Sequence, residues 1–391
     1  MPDAPVLLCL NAGSSSLKFS VWDGDRCLLE GEVEEIGRPG TFAWVAPAGG
    51  PRRRLPGRWA DHREAVDGVF SLLGEHPLPR PAGVGHRLVH GGLHHVAPER
   101  VSKELLDDLR ALVPLAPLHM PSGLDGVEAV AERFPDLPQA VCFDTAFHRD
   151  LPEPAWRVPL PRALVDETGL RRFGFHGLSY EYVMETLGPA GGGRVVIAHL
   201  GNGSSLAAVR DGRPVDTSMG FTPTGGVMMG TRTGDLDPGV LVYLMQKGYD
   251  ADRLDRLVNR ESGLLGVSGA TGDVKSLLER REGDPRADLA LTMFCGQVRK
   301  QIGAYAAALG GLDTLVFTGG IGERAAPLRA EICEGLGHLG VQIDPARNAA
   351  HQSPVSVPDA GCAVRIVNTR EDMMIARHCR AVLFEGRKET R

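Results

Sequence analysis

An unbroken apolar run over residues 6–10 predicts a buried strand, and residues 17–22 alternate well enough to be its hairpin partner. Between them lies Asn11-Ala12-Gly13-Ser14-Ser15-Ser16, a turn of small and polar residues. The pattern returns in mid-chain as a strand over 195–199, the turn Gly201-Asn202-Gly203, and Ser204-Ser205-Leu206-Ala207-Ala208-Val209 running into Asp211-Gly212. Two such loops suggest a nucleotide held between two related lobes. Glycine lets backbone approach an anion, serine hydroxyls and free amides bind phosphate oxygens, and Lys18 adds positive charge. Two ordinary β-hairpins would leave the same local pattern.

Helices are predicted over residues 61–74 and 103–112, and strands over 84–89 and 141–144. The stretch 38–58, rich in Gly, Pro and Arg, reads as surface loops, with Arg52-Arg53-Arg54 on a solvated face. A strand over 315–317 delivers Thr318-Gly319-Gly320-Ile321-Gly322-Glu323 to a following helix. That is a common way to bind phosphate, although the Walker lysine and the full dinucleotide fingerprint are both missing from it. A strand over 366–369 and a helix over 372–379 close the chain.

The 391 residues suffice for two cores, and 50 glycines and 28 prolines spread over many turns favour a mixed α/β architecture. Forty-three basic against 49 acidic side chains leave a net charge of −6, so no global basic field draws nucleic acid or a membrane to the surface. Seven dispersed cysteines without a CxxC pair fit reduced thiols. With no basic start leading into an apolar segment and no bilayer-length apolar run, a soluble cytoplasmic protein is expected.

Polar residues gather where strands are predicted to end: Arg87, Asp144, Asn202 and Arg232. Arginine offers phosphate fixed, directional donors, and aspartate holds a divalent ion directly or through water. Each of the four, taken singly, also fits a structural ion pair or a surface position. Glu371 beside Asp372 equally suits an acidic helix start. His86, His90, His94 and His95 lack the acidic or cysteine partners of a zinc site, so structural or solvent-facing roles are expected. His119 and His176 sit in tight loops suited to donating to an anion.

Taken in order, these pieces become specific. Asn11-Ala12-Gly13-Ser14-Ser15-Ser16-Leu17-Lys18, Gly85-His86-Arg87-Leu88-Val89-His90-Gly91-Gly92, Phe143-Asp144-Thr145-Ala146-Phe147-His148 and Arg172-Phe173-Gly174-Phe175-His176-Gly177 are followed by His199-Leu200-Gly201-Asn202-Gly203-Ser204-Ser205. Met228-Met229-Gly230-Thr231-Arg232-Thr233-Gly234-Asp235-Leu236-Asp237-Pro238 and Phe317-Thr318-Gly319-Gly320-Ile321-Gly322-Glu323 complete the series. The chain resembles the acetokinase family, which includes acetate, propionate and butyrate kinases.

The resemblance implies two duplicated ribonuclease-H-like α/β domains of the sugar kinase, heat-shock ATPase and actin superfamily, and a homodimer. The expected domains are residues 1–147 with 374–391, and a nucleotide-binding 148–373. The implied reaction is reversible in-line transfer of phosphate from ATP to acetate, giving acetyl phosphate and ADP, with Mg2+ or Mn2+ as cofactor. Propionate or butyrate kinase is the alternative within enzymes. A nucleotide-gated interaction protein without acyl chemistry is the alternative outside them.

Carried over residue by residue, Arg87, Asp144, His176, Asn202 and Arg232 match the catalytic set, with His119 and His199 supporting. Val89, Leu118, Phe175 and Pro223 match an apolar acyl pocket beside Arg87. Asn11, Ser16, Lys18, His199, Leu200, Gly201, Asn202, Gly203, Asp273, Val274, Lys275, Gly319, Gly320, Ile321, Gly322 and Glu323 match the ATP site. Asn11 and Glu371 match the metal side, with Asp144 a further candidate. The chain departs from the family's pattern at Met120-Pro121-Ser122-Gly123, where Asn-Pro-Pro-Asn is usual, and at Thr224-Gly225, where Leu-Glu often stands. Lys275 takes the place of a common arginine and Arg324 that of an asparagine, which bears on nucleotide preference.

Overall fold

The computed structural model describes residues 4–13, 15–47, 49–117 and 119–385. The chain divides into two units, Met1–Ala146 with Arg370–Arg391, and Phe147–Thr369. The sequence put these divisions at 147/148 and 373/374.

In the first unit, β1 (Leu7–Ala12) pairs antiparallel with β2 (Ser16–Asp23), which continues into β3 (Arg26–Glu34), β4 (Phe42–Pro47) and β5 (Arg53–Pro56). On its other side β1 runs parallel to β6 (Gly83–Leu88), which runs parallel to β8 (Gln139–Phe143), with the short β7 (Glu99–Arg100) at the edge. Leu8 and Leu10 of β1 face a core shared with Val66 and Val69 of the helix His62–Gly74 and Val130 of the helix Met120–Arg133. The opposite face takes the helix Glu371–Phe384, which comes close because Gly85 has no side chain. A Cβ there would lie 2.5 Å from Cys379 Sγ.

The 38–58 stretch corrects the reading from sequence: it forms strands as well as loops. Arg52 stacks over Trp44 and Arg54 over Phe42, each 3.9 Å from the ring centroid, so these guanidiniums cover aromatic faces at the sheet edge.

The second unit repeats the plan. Here β9 (Arg194–Leu200) pairs antiparallel with β10 (Ser204–Arg210), followed by β11 (Arg213–Thr217). On its other side β9 runs parallel to β12 (Thr314–Thr318), which pairs parallel with β13 (Ala363–Ile366). The sheet orders β3-β2-β1-β6-β8 and β11-β10-β9-β12-β13 are the same path walked twice, with the same parallel and antiparallel steps. This duplicated α/β architecture is the one the twin hairpins pointed to.

Period-2 alternation sends Val196 and Ala198 of β9 toward Phe294 and Val298 of the long helix Pro285–Leu309, and Val195 and Ile197 toward Tyr180 and Val183. Both faces are covered, which is why the strand reads as continuously apolar. The last strand ends at Ile366, and residues 367–369, assigned to it from sequence, form a connection.

Candidate active site

Three parallel strands of the first unit end side by side, and their carboxyl ends carry the first half-site. Asn11 of β1 is the register partner of Arg87 of β6, and Leu88 of β6 is the partner of Phe143, one residue before Asp144. Arg87 Nε donates to Asp144 Oδ1 at 2.9 Å and Nη2 donates to Oδ2, a two-toothed grip that fixes the guanidinium plane. Its Nη1 donates to Asn11 Oδ1 at 3.0 Å. Glu371, the first residue of the helix Glu371–Phe384, brings Oε2 to 3.9 Å from Arg87 Nε. Burial alone would disfavour the charge, but Asp144 and Glu371 outweigh it and raise the arginine's pKa further.

Val89 follows Arg87 by two residues and is buried. The loop after it is tied down by Gly91 N donating to Thr145 Oγ1 at 3.2 Å and Gly92 N donating to His90 Nδ1 at 2.8 Å. His90 is thereby an acceptor, and burial pushes its pKa down to about 4. His86 is buried on a 2.7 Å hydrogen bond with Gln139, while His94 is exposed and His95 meets Glu99, so the histidine run is structural. No cluster of three metal-ligating side chains occurs among the described residues. Ser16 and Lys18 lie on β2, and Lys18 pairs with Asn11 across the hairpin. His119 immediately precedes the helix Met120–Arg133 without a side-chain capping bond, whereas Leu118 and Ser14 lie outside the described residues. Ser122 and Gly123 suit this helix start: Ser122 Oγ donates to His119 O at 3.1 Å, and a Cβ on Gly123 would sit 2.5 Å from Leu88 Cδ2.

The second half-site is built around the Gly201-Asn202-Gly203 turn. A Cβ added to Gly203 would lie 3.4 Å from Arg232 Nη1 and 3.5 Å from His176 Nε2, so a guanidinium and an imidazole converge over a turn with no side chain in the way. His176 takes a left-handed backbone (φ 59°) and shares a 2.8 Å hydrogen bond between Nδ1 and Ser205 Oγ, which also meets Tyr180 OH. Its ring stacks on His199 at 4.2 Å, and His199 Nδ1 is held by Ser179 Oγ at 2.8 Å. Ser179, Tyr180 and Ser205 were not singled out from sequence. Ser205 stood in a quoted motif, and Tyr180 and Ser179 needed the tertiary structure to appear.

Beneath this loop, His148 Nε2 donates to Phe175 O at 3.1 Å, and burial outweighs that bond and pushes the ring's pKa down to about 4. Gly174 has φ +73°, and a Cβ there would collide with His148 Cδ2 at 2.5 Å. Arg232 Nη1 also donates to Pro223 O at 3.0 Å, and the neighbouring Thr224 hydroxyl donates to Asn259 Oδ1, so the Thr224 departure serves as an anchor. Phe175 is buried and Pro223 partly so. Both belong to the second unit, whereas Val89 belongs to the first.

A cavity of about 800 Å³ opens beside the turn, lined by Gly201, Asn202, Asp273, Val274, Lys275, Gly320 and Ile321 of the expected set. Thr231, Gly272, Leu278, Arg324 and Ala325 complete it. Leu278 lies one helical turn beyond Val274, a relation legible from spacing. His199, Leu200, Gly203, Gly319, Gly322 and Glu323 are not among its lining residues. Glu323 Oε1 instead accepts from Gly319 N at 3.1 Å and Thr369 N at 3.0 Å, fastening the glycine loop from within. Gly319 has φ +75°, and a Cβ on it would lie 2.7 Å from Leu200 O.

Duplicated sheets with polar groups at the strand ends and a glycine-lined cavity define a phosphotransferase of the two-lobed α/β class. The chain belongs to the acetokinase family, which matches residues 6–377. It is therefore a kinase that transfers phosphate from ATP to a carboxylate. A propionate kinase of Citrobacter rodentium is 45% identical over 390 residues, covering 95% of each chain. An acetate kinase of Rhodopseudomonas palustris is 44% identical over 399 residues, covering 98% of this chain and 99% of the relative. The crystal structure of Porphyromonas gingivalis acetate kinase superposes with a TM-score of 0.87 at 38% identity, covering 97% of this chain and 100% of that one.

Proposed function

We propose that this chain catalyses reversible phosphoryl transfer between ATP and acetate, giving acetyl phosphate and ADP by direct in-line attack. The observation that carries the site assignment is the convergence of Arg232 and His176 over Gly203 in the second unit, while the first unit separately holds Arg87 on Asp144. The acetate oxygen is already anionic, so no base is required. The obstacle is bringing one anion to another, and fixed cationic donors lower it most where charge develops in the transition state. Arg87 grips the carboxylate, Arg232 neutralises the transferring oxygens and His176 donates to them through Nε2, its Nδ1 being held at Ser205. Direct transfer requires both half-sites to act on one phosphoryl group during turnover.

ATP occupies the cavity of the second unit, with the phosphates against Gly201, Asn202 and Gly320 and the nucleoside toward Asp273 and Lys275. Asp144, Glu371 and Asn11 offer two carboxylates and an amide, a donor set that would hold Mg2+ or Mn2+. A bound ion supplies charge neutralisation.

We assign recognition of the acyl methyl to the apolar residues Val89 of the first unit and Phe175 and Pro223 of the second. Propionate is the second reading, favoured by the 45% identical propionate kinase. We further propose a cytoplasmic homodimer. The helix Pro238–Gln246 has no buried residue and exposes Val242, Tyr243 and Met245, an apolar face that a second copy would cover. Light scattering should return twice the chain mass.

Initial rates of ADP formation with acetate, propionate and butyrate under Mg-ATP test the reaction. Carboxylate-dependent ADP release, fastest with acetate, is expected. Propionate outpacing acetate would transfer the assignment to the second reading, and no dependence on carboxylate would overturn both.

A further inference from the structure

Arg329 is fully buried and carries no carboxylate partner among the described residues. Its five hydrogen bonds all end on neutral groups. Nε donates to Asn348 Oδ1 at 2.9 Å, and Nη1 donates to Gly322 O at 2.8 Å and Glu323 O at 2.9 Å. Nη2 donates to Asn348 O at 3.0 Å and to His351 Nδ1 at 3.0 Å. The side chain therefore joins three short helices, Gly319–Arg324, Ala326–Cys333 and Pro345–Ala349.

Two of those bonds fall on carbonyls near the carboxyl end of the helix that begins with the glycine loop, where a cation satisfies unpaired carbonyls and complements the helix dipole. Glu323, whose carbonyl Arg329 holds, uses its own carboxylate on Gly319 N and Thr369 N. Glycine loops are soft, and this one is pinned from behind by a planar fork and from within by a carboxylate. A buried guanidinium without a carboxylate is a costly choice for packing alone, since a neutral side chain would avoid the desolvation penalty. Burial holds its pKa down to about 10, so it stays cationic at neutral pH.

We propose that Arg329 is a positioning residue for the nucleotide: it fixes the Gly319–Glu323 loop in its phosphate-accepting shape and places an uncompensated positive charge behind it. The inference rests on the reading of that loop as part of the ATP site. It assigns Arg329 no contact with ATP.

Arg329→Gln removes the charge and part of the fork, Arg329→Lys keeps the charge without the fork, and Asn348→Ala loosens the fork while leaving the arginine in place. For each folded variant, KM for ATP and KM for acetate are measured separately, with thermal unfolding alongside. Arg329→Gln should raise KM for ATP at least tenfold and leave KM for acetate within twofold. Arg329→Lys should recover part of that loss, and Asn348→Ala should fall between Lys and wild type. Should Arg329→Gln not fold, the Lys and Asn348→Ala variants decide the matter by the same split. Unchanged KM for ATP, or equal loss for both substrates, would overturn the proposal. Hydrogen exchange of residues 318–324 in the wild type with and without ATP separates the two levels. Absence of protection sinks the loop assignment itself, whereas protection together with an unmoved KM in the variants sinks only the role of Arg329.

Discussion

Asn11 and Arg87 are register partners on the parallel strands β1 and β6, and Arg87 Nη1 donates to Asn11 Oδ1 at 3.0 Å across that register. A parallel ladder thus aligns the Asn11 amide with the Arg87 guanidinium. Asp144, at the end of the next strand, orients the guanidinium plane.

Arg232→Leu should fold normally and lower acyl phosphate formation by about two decades or more, since losing one donor to developing charge costs roughly 3 to 4 kcal/mol. Its part-buried bond to Pro223 O is lost in the variant, which is why folding is checked alongside. Steady-state rates with circular dichroism check this, and a near-wild-type rate would remove Arg232 from the site.

Gly272→Ala should weaken nucleotide binding. The added Cβ would lie 2.5 Å from Gly230 O and 3.2 Å from Gly230 Cα, contacts with backbone that side-chain motion cannot relieve. Gly230 N in turn donates to Asn202 O at 3.0 Å, so the displacement reaches the cavity wall. KM for ATP should rise about tenfold, equivalent to ~1.4 kcal/mol, with the acetate KM little changed.

Stability should fall on mild acidification. Burial holds the native pKa values of His86, His90 and His148 near 4, against about 6.5 in an unfolded chain. Above pH ~6.5 neither state is protonated, and the full stability is present. Between about 6.5 and 4 the unfolded chain takes up protons that the native state refuses, so stability declines and then levels off. Each site contributes on the order of 3 kcal/mol across that window. Urea unfolding at pH 7 and pH 5 should show the drop, and His148→Gln should flatten it if the variant folds. A pH-independent midpoint would show that these rings are accessible.

Val89→Ala should raise the ratio of propionate to acetate catalytic efficiency, because the position lies two residues beyond Arg87 and its side chain is buried. The gain is bounded at roughly 1 to 3 kcal/mol for accommodating one methylene, and the cavity also costs acetate turnover. An unchanged ratio in a folded variant would make Val89 simple packing.

Local pattern made the twin hairpins legible, since apolar runs broken by Gly and Ser turns need no distant partner to be recognised. The glycine loop after β12 and the motif residues were legible for the same reason. Residues 42–47 and 53–56 looked like loops because the Gly, Pro and Arg of the surrounding stretch outweighed the short apolar run 42–46. They become strands only once β3 offers hydrogen bonds to β4, β4 offers them to β5, and Arg52 and Arg54 find the rings of Trp44 and Phe42. The pairing of Asn11 with Arg87 across 76 residues was decided by parallel register, which no local periodicity encodes. Arg329 reads in sequence as an ordinary helical arginine, and only the meeting of three short helices buries it. Secondary structure and turn chemistry follow from neighbours along the chain, whereas burial, register and the company a charge keeps depend on contacts that exist only after the chain has closed on itself.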